Sequence, residues 1–216
     1  MKTIRLAVLA TIAVAASVGF NVRGAVAADY PIYEIPRITQ PSGLYVGLFA
    51  GWGWGDSVVS TFDPEIDGFV GGGLVGWELR RDGFLVGVEG DIGATGIEGV
   101  NTVDSTSVEV NWLASLRLRA GADMGGFAVY GTGGVAFANM DAAITTASPP
   151  SDTQTLTGYV IGAGMEAPLT ESLAARLEYL FYDFNPSDFM IGGAAVQADL
   201  RLHVVRGALV YNFPVL

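Results

Sequence analysis

From residue 44 onward the chain alternates. Leu44, Val46, Leu48, Ala50, Trp52 and Trp54 are separated by Tyr45, Gly47, Phe49, Gly51 and Gly53. Successive side chains of a strand point to opposite faces. One face of this segment is therefore continuously apolar, and the other is small or aromatic. Val108 to Gly121 sorts more sharply. Val108, Val110, Trp112, Ala114, Leu116, Leu118 and Ala120 fall on one face, and Glu109, Asn111, Leu113, Ser115, Arg117, Arg119 and Gly121 on the other. A helix would set Arg117 and Arg119 about 200° apart and leave no clean stripe.

The same sorting recurs along the chain. Phe69, Gly71, Gly73, Val75, Trp77 and Leu79 oppose Glu78; Phe84, Val86, Val88, Gly90 and Ile92 oppose Glu89 and Asp91. Val129, Gly131, Gly133, Val135 and Phe137 oppose Tyr130 and Thr132, and Tyr159, Ile161, Ala163, Met165 and Ala167 oppose Glu166. Ala175, Leu177, Tyr179 and Phe181 oppose Arg176, Glu178 and Tyr182, and Val205, Gly207, Leu209, Tyr211 and Phe213 oppose Arg206 and Asn212. This predicts about eight strands, most of about 10 to 12 residues. A tilted membrane strand needs about 9–11 residues, whereas strands of soluble proteins are usually nearer 5–6. Gly68-Phe69-Val70, Gly83-Phe84-Leu85 and Gly158-Tyr159-Val160 repeat a strand-opening pattern, which reads as a hairpin unit.

The links alternate in length as well. Arg80-Arg81-Asp82-Gly83, Ala122 to Gly126 and Pro168 to Ser172 are short; 56–68, 93–107, 139–156 and 185–199 are long. Short turns on the periplasmic side and long loops outside are the habit of bacterial barrels. The expected fold is therefore all-β: a closed antiparallel transmembrane β-barrel of about eight strands, with short periplasmic turns and long extracellular loops. Backbone polar groups in hydrocarbon must all be paired, and only helices and closed barrels achieve that. The competing fold is a soluble β-sandwich whose apolar faces meet in a core.

The N-terminus predicts export. Lys2 and Arg5 precede an apolar stretch from Leu6 to Phe20, and Ala25-Val26-Ala27 offers a small-x-small cleavage site with Ala28 as an alternative end. This is the order of a signal peptide, assigned to residues 1–28. Its removal takes Lys2, Arg5 and Arg23, so the net charge moves from −11 to −14 and no lysine remains. So acidic a chain lacks the basic patch that nucleic-acid binding requires. There is no cysteine, so stability comes from the sheet and its solvent rather than from disulfides. Residues 29–42, with Pro31, Pro36 and Pro41, read as an extended lead-in. The barrel spans 43–213, and 214–216 form a short extension.

Two candidate sets follow from the alternation. The inward charges Glu78, Glu89, Asp91, Arg117, Arg119, Glu166, Arg176, Glu178 and Arg206 share a lumen narrow enough for side chains to fill. Buried charges need partners, so these nine are expected to form a network that plugs the barrel; the functional alternative is an ion-selective constriction. The outward aromatics are expected to form girdles at the two interfaces. Trp52, Trp54, Phe69, Trp112, Phe137 and Tyr159 lie toward the long loops, and Trp77, Phe84, Phe127, Tyr211 and Phe213 toward the short turns.

Other features carry less. Gly71-x-Gly73-x-x-Gly76 matches a dinucleotide fingerprint, but that motif requires a strand-to-helix turn. His203, the only histidine, falls near the outer end of the last strand. As the general base of a lipid-modifying barrel enzyme it would need a nucleophile in reach, and no serine is marked out; as a single axial histidine it could ligate haem. The loop acids Asp56, Asp63, Glu65, Asp67, Glu98, Asp104, Asp141, Asp152, Asp188 and Asp199 suit Ca²⁺ or Mg²⁺ chemically, yet their spacing fits no calcium loop, and a solvated acidic surface accounts for them. No cofactor, metal site or catalytic group is expected.

Several segments resemble the small outer-membrane "porin family" proteins of α-proteobacteria, the Omp25/Omp31-like group. They are Gly43-Leu44-Tyr45-Val46-Gly47 with Gly51-Trp52-Gly53, then 112–119, 130–134, 162–166, 175–184 and 205–213, in order. The resemblance implies an eight-stranded, OmpA-like barrel at the cell surface. It implies roles in envelope integrity and, in some members, haem binding or host contact. The implied partners are outer-membrane lipid, lipopolysaccharide, the barrel-assembly machinery, and a host or surface ligand met by the loops. Such barrels usually end on an aromatic residue; here Phe213 is followed by Pro214-Val215-Leu216.

Overall fold

The computed structural model describes residues 40–59, 65–101, 106–144, 151–191 and 194–213. The expected signal peptide, most of the lead-in and residues 214–216 lie outside them. Eight strands follow one another: β1 (Gly43–Val59), β2 (Glu65–Arg81), β3 (Phe84–Asn101), β4 (Thr106–Asp123), β5 (Ala128–Ile144), β6 (Ser151–Pro168), β7 (Leu173–Ile191) and β8 (Ala194–Asn212). Each pairs antiparallel with the next, and β8 pairs with β1, so the sheet closes. Closure leaves no unpaired edge, which is what hydrocarbon demands.

The β2–β3 turn shows how sequence sets register. Asp82 and Gly83 both take positive φ, 52° and 80°, the two-residue hairpin geometry that an Asp-Gly pair favours. It brings Arg81 opposite Phe84 and carries the pairing up to Ala94 opposite Gly71.

The strands are 17 to 19 residues long, well beyond what a bilayer crossing needs. The surplus lies at the long-link end. There the expected links continue as paired ladder, so that Asp56 faces Glu65 and Ala143 faces Ser151. On the outward face of β1, apolar residues run from Leu44 to Trp54, a height of about 25 Å at barrel tilt. Above that the outward positions turn polar: Asp67 on β2, Asn111 on β4, Asn139 on β5, Thr157 on β6, Asp183 on β7 and Arg201 on β8. Leu116 stands near mid-band and is 54% exposed. Leu116→Arg should therefore lower stability by about 2–4 kcal/mol, read as the urea midpoint in lipid vesicles. An unchanged midpoint would place this face in water.

Irregularities cluster at the outer end. Register shifts fall between Ala94 and Ile97 in β3, between Val110 and Trp112 in β4, and between Phe184 and Ser187 in β7. The β4 bulge corrects one expectation. The alternation groups Val110 with Trp112 on the outer face, but the extra residue, Asn111, turns Val110 inward, where it is fully buried. A bulge adds one residue and so reverses the parity of what precedes it. In β7 the shift contains Pro186, which has no N–H to give to the ladder.

Candidate functional site: the filled interior of the barrel

All nine inward charges named from the sequence lie inside the barrel and are buried. Register creates three direct cross-strand pairs: Glu89 with Arg117, Glu166 with Arg176, and Glu178 with Arg206. Other contacts join them. Arg117 reaches Asp91 at 2.9 Å; Arg119 reaches Glu78 at 3.3 Å and Glu166 at 3.4 Å; Arg206 reaches Glu178 at 2.7 Å and Asp91 at 3.3 Å.

Glu89 is the hub. Arg117 bonds its Oε1 and Arg176 its Oε2, the latter at 2.5 Å; Arg119 and Arg206 stand at 3.6 and 3.8 Å. Four guanidinium groups thus surround one carboxylate. Tyr45 bridges two of these groups, its hydroxyl donating to Glu89 Oε2 at 2.9 Å and accepting from Arg119 at 3.0 Å. Tyr130 donates to Glu178 at 2.9 Å, and Ser115 to Asp91 at 2.7 Å.

Sequence reasoning missed one member. Arg80 reads from the sequence as part of a short turn, but it lies at the end of β2 with the parity of Glu78. Its guanidinium bonds Glu78 at 2.7 Å and also Glu166. With Arg80 the network holds five arginines and five carboxylates, and its formal charge is zero. The signal was available: Arg80 stands two residues from Glu78, on the same face of a strand.

Neutrality alone does not satisfy the donors. Nitrogens of Arg117, Arg119, Arg176 and Arg206 find no hydrogen-bond acceptor among the described residues. Three of these side chains lie over aromatic rings instead: Arg119 over Tyr130 at 4.0 Å, Arg176 over Tyr45 at 4.6 Å and Arg206 over Phe49 at 4.2 Å. Such stacking is favourable when the cation is desolvated. Two glycines make room for the tyrosines. A Cβ on Gly76 would stand 2.3 Å from the Tyr45 ring, and one on Gly164 2.5 Å from Tyr130.

The network fills the periplasmic half of the lumen, and its mouth is bridged. Gln40, itself buried, donates to the Thr170 carbonyl at 2.7 Å and accepts from Asn212 at 2.5 Å. Ser42 accepts from the Arg80 backbone N–H at 2.8 Å. The outer half of the interior is different in kind. Ile66, Val70, Leu74, Ile97, Leu113, Met140, Leu156, Val160, Leu180, Phe184, Leu200 and Val204 belong to one buried apolar cluster. The charges stop partway up the lumen, and apolar side chains lie above them.

The outward aromatics take the positions their parity requires. Trp52, Trp54, Phe69, Phe137 and Tyr159 are exposed toward the outer end, where Trp112 is half-buried; Trp77, Phe84, Phe127, Tyr211 and Phe213 are exposed toward the periplasmic end. Phe213 still donates its N–H to the Leu44 carbonyl at 2.9 Å, so the last aromatic remains tied to the closing seam. His203 also faces outward. Its ring lies against Trp54 (5.8 Å) and Phe181 (5.0 Å), and its Nδ1 is 2.7 Å from the Tyr179 hydroxyl. Gly71, Gly73 and Gly76 all lie within β2, not at a strand-to-helix turn. Of the ten loop acids, only the side chain of Asp67 is among the described residues, where no group of three potential metal ligands occurs.

Residues 6–213 match the family described as "Outer membrane protein beta-barrel domain". The chain belongs to this family. As a member of the outer-membrane β-barrel family it has named relatives. It is 28% identical over 184 residues to the 25 kDa outer-membrane immunogenic protein of Brucella canis, covering 85% of this chain and 84% of that one. It is 33% identical over 154 residues to a 22 kDa outer membrane protein of Rhizobium leguminosarum bv. viciae, covering 69% of each. Among solved structures, the outer membrane protease OmpT of Escherichia coli superposes with a TM-score of 0.51 at 7% identity, over 80% of this chain and 97% of that one; this likeness is one of fold. The family resemblance and the outer-membrane location expected from the sequence are thus established for this β-barrel.

Proposed function

We propose that this outer-membrane barrel is a closed structural protein that stabilises the envelope and holds its outer loops on a rigid pedestal, with no catalytic role. The observation that supports this is the filled interior. A neutral ten-charge network occupies the periplasmic half, and the buried apolar side chains around Phe184 and Leu200 fill the outer half. An ion crossing the barrel would have to enter that apolar core, where a bare charge is strongly disfavoured. The partners in this reading are outer-membrane lipid and lipopolysaccharide, the barrel-assembly machinery, and a surface ligand met by the loops.

The test is conductance. Protein refolded in detergent, and first shown to run as a faster, SDS-resistant band when unboiled, is inserted into planar bilayers. The expected trace is silent. Stable steps of reproducible size would overturn the closed-barrel reading in favour of a small-solute or ion channel.

A further inference from the structure

The ladder that closes the barrel does not rise equally at every seam. Between β6 and β7 the last pair is Gly158 with Phe184. That is seven residues below the outer end of β6 at Ser151, and seven below that of β7 at Ile191. Both strands continue above it, each paired on its far side only: β6 with β5 as far as Ser151, and β7 with β8 as far as Ile191. Among the described residues, every other seam carries its ladder to within two residues of the outer end of one of its strands. Two local causes stand at the divergence. Gly158 lets the backbones meet closely, since a Cβ there would lie 2.2 Å from the Asp183 carbonyl oxygen. Just above, Asn185 and Pro186 together oppose Asp199, and such a bulge bends its strand. The seam opens where the outward face has already turned polar, at Thr157 and Asp183. Its unpaired N–H and C=O groups therefore stand in water and not in hydrocarbon.

We infer that β6 takes an added strand at this seam: an extended, basic polypeptide segment of a partner, paired along residues 151–157. A free strand edge presents a row of backbone donors and acceptors, which an extended polypeptide satisfies. The β6 edge is the better template of the two. The β7 edge begins at Pro186, which has no N–H to offer. Residues 151–157 hold no proline or glycine and three threonines, residues that favour strands, and their number suits an ordinary strand. Charge selects among polypeptides. Residues 139–157 and 185–199 carry Asp141, Asp152, Asp188 and Asp199 and no Lys, Arg or His; Arg201, the next basic residue, is already engaged by Asp183 at 3.5 Å. A second copy of this chain would set like charges together, whereas a basic segment is attracted. Thr155 and Thr157 are exposed and would flank the added strand. The inference deepens the proposed surface-ligand role and rests on it, naming the site and the chemical class of the partner.

Fluorescence anisotropy of a labelled peptide added to the refolded protein in detergent tests it. The probe is a nine-residue peptide of alternating threonine and valine with arginine at its second and eighth positions. Two isomers carry N-methyl groups at alternate residues, one isomer for each edge of the peptide, and a fourth peptide has glutamate in place of arginine. An added strand uses one edge only. One N-methyl isomer should therefore bind like the parent and the other roughly tenfold or more weakly, the loss of several backbone bonds. The glutamate peptide should also bind roughly tenfold or more weakly. The double variant Thr155→Arg with Thr157→Arg should lose the basic peptide, whereas Arg81→Gln at the periplasmic turn should keep it. Each variant is first checked for heat-modifiability, so that loss of binding is read only on closed barrels. Equal binding of the two N-methyl isomers, unchanged binding by the threonine double variant, or pairing of the protein with itself in place of the peptide would overturn the inference. A silent, heat-modifiable barrel that binds no peptide would remove the added strand and leave the closed-barrel reading intact; a conducting barrel that binds with the expected edge preference would do the reverse.

Discussion

Glu89→Ala should lower the stability of the refolded barrel by about 3–5 kcal/mol, the cost of breaking a buried ion pair from one side. Glu89 touches four arginines at once. Its removal leaves five guanidinium groups against four carboxylates in a lumen closed below by Gln40 and above by apolar side chains. Nothing nearby can take over: Asp91 and Glu178 are already engaged by Arg117 and Arg206, and the Tyr45 hydroxyl would lose its acceptor. The measurement is the urea midpoint in lipid vesicles, followed by tryptophan fluorescence. Glu89→Gln keeps the side-chain volume and should lose nearly as much, because charge and not shape is missing. If both variants kept the wild-type midpoint, the network would be hydrated, and the plug would have to be sought in the apolar half alone.

Phe184→Ala should cost a similar amount, about 3–5 kcal/mol, for a different reason. Phe184 is almost fully buried and stacks parallel to Tyr182 with ring centroids 6.1 Å apart. It stands inside the barrel beside Asp183, at the level where the outward face turns polar. Truncation there opens a cavity that closed, hydrogen-bonded strands cannot collapse to fill, so both the transfer loss and the cavity loss apply. The readout is again the urea midpoint, with conductance recorded beside it. A small loss of stability with new current steps would mean that water already reaches this level.

Both predictions depend on arrangements that were only partly legible in the chain. The alternation of Leu116, Arg117, Leu118 and Arg119 shows that two arginines share a face, because side-chain period in a strand is local. It does not show what they meet. Glu89 and Arg117 become neighbours through the register of β3 on β4, and Arg176 reaches Glu89 across the lumen from β7. Tyr45 and Tyr130 had inward parity like many other residues. Only the Gly76 and Gly164 clearances let their rings cross to carboxylates on other strands. Arg80 escaped because its neighbours looked like a turn, and Val110 was misplaced because a bulge is a one-residue event that periodicity cannot see.

What the amino-acid sequence determined by itself was the set of local choices: strand or helix, which residues share a face, where the tight turns lie, and hence a closed sheet with a lipid-facing side. Those follow from steric rules acting over two to four residues. Tertiary structure decided the rest. It set how far the ladders zip past the bilayer, balanced the charges by bringing in Arg80, made Glu89 the hub, and set apolar side chains above the charged network. Those features join residues up to 172 positions apart, as Gln40 and Asn212 are, and such contacts exist only once closure has set the register of all eight strands.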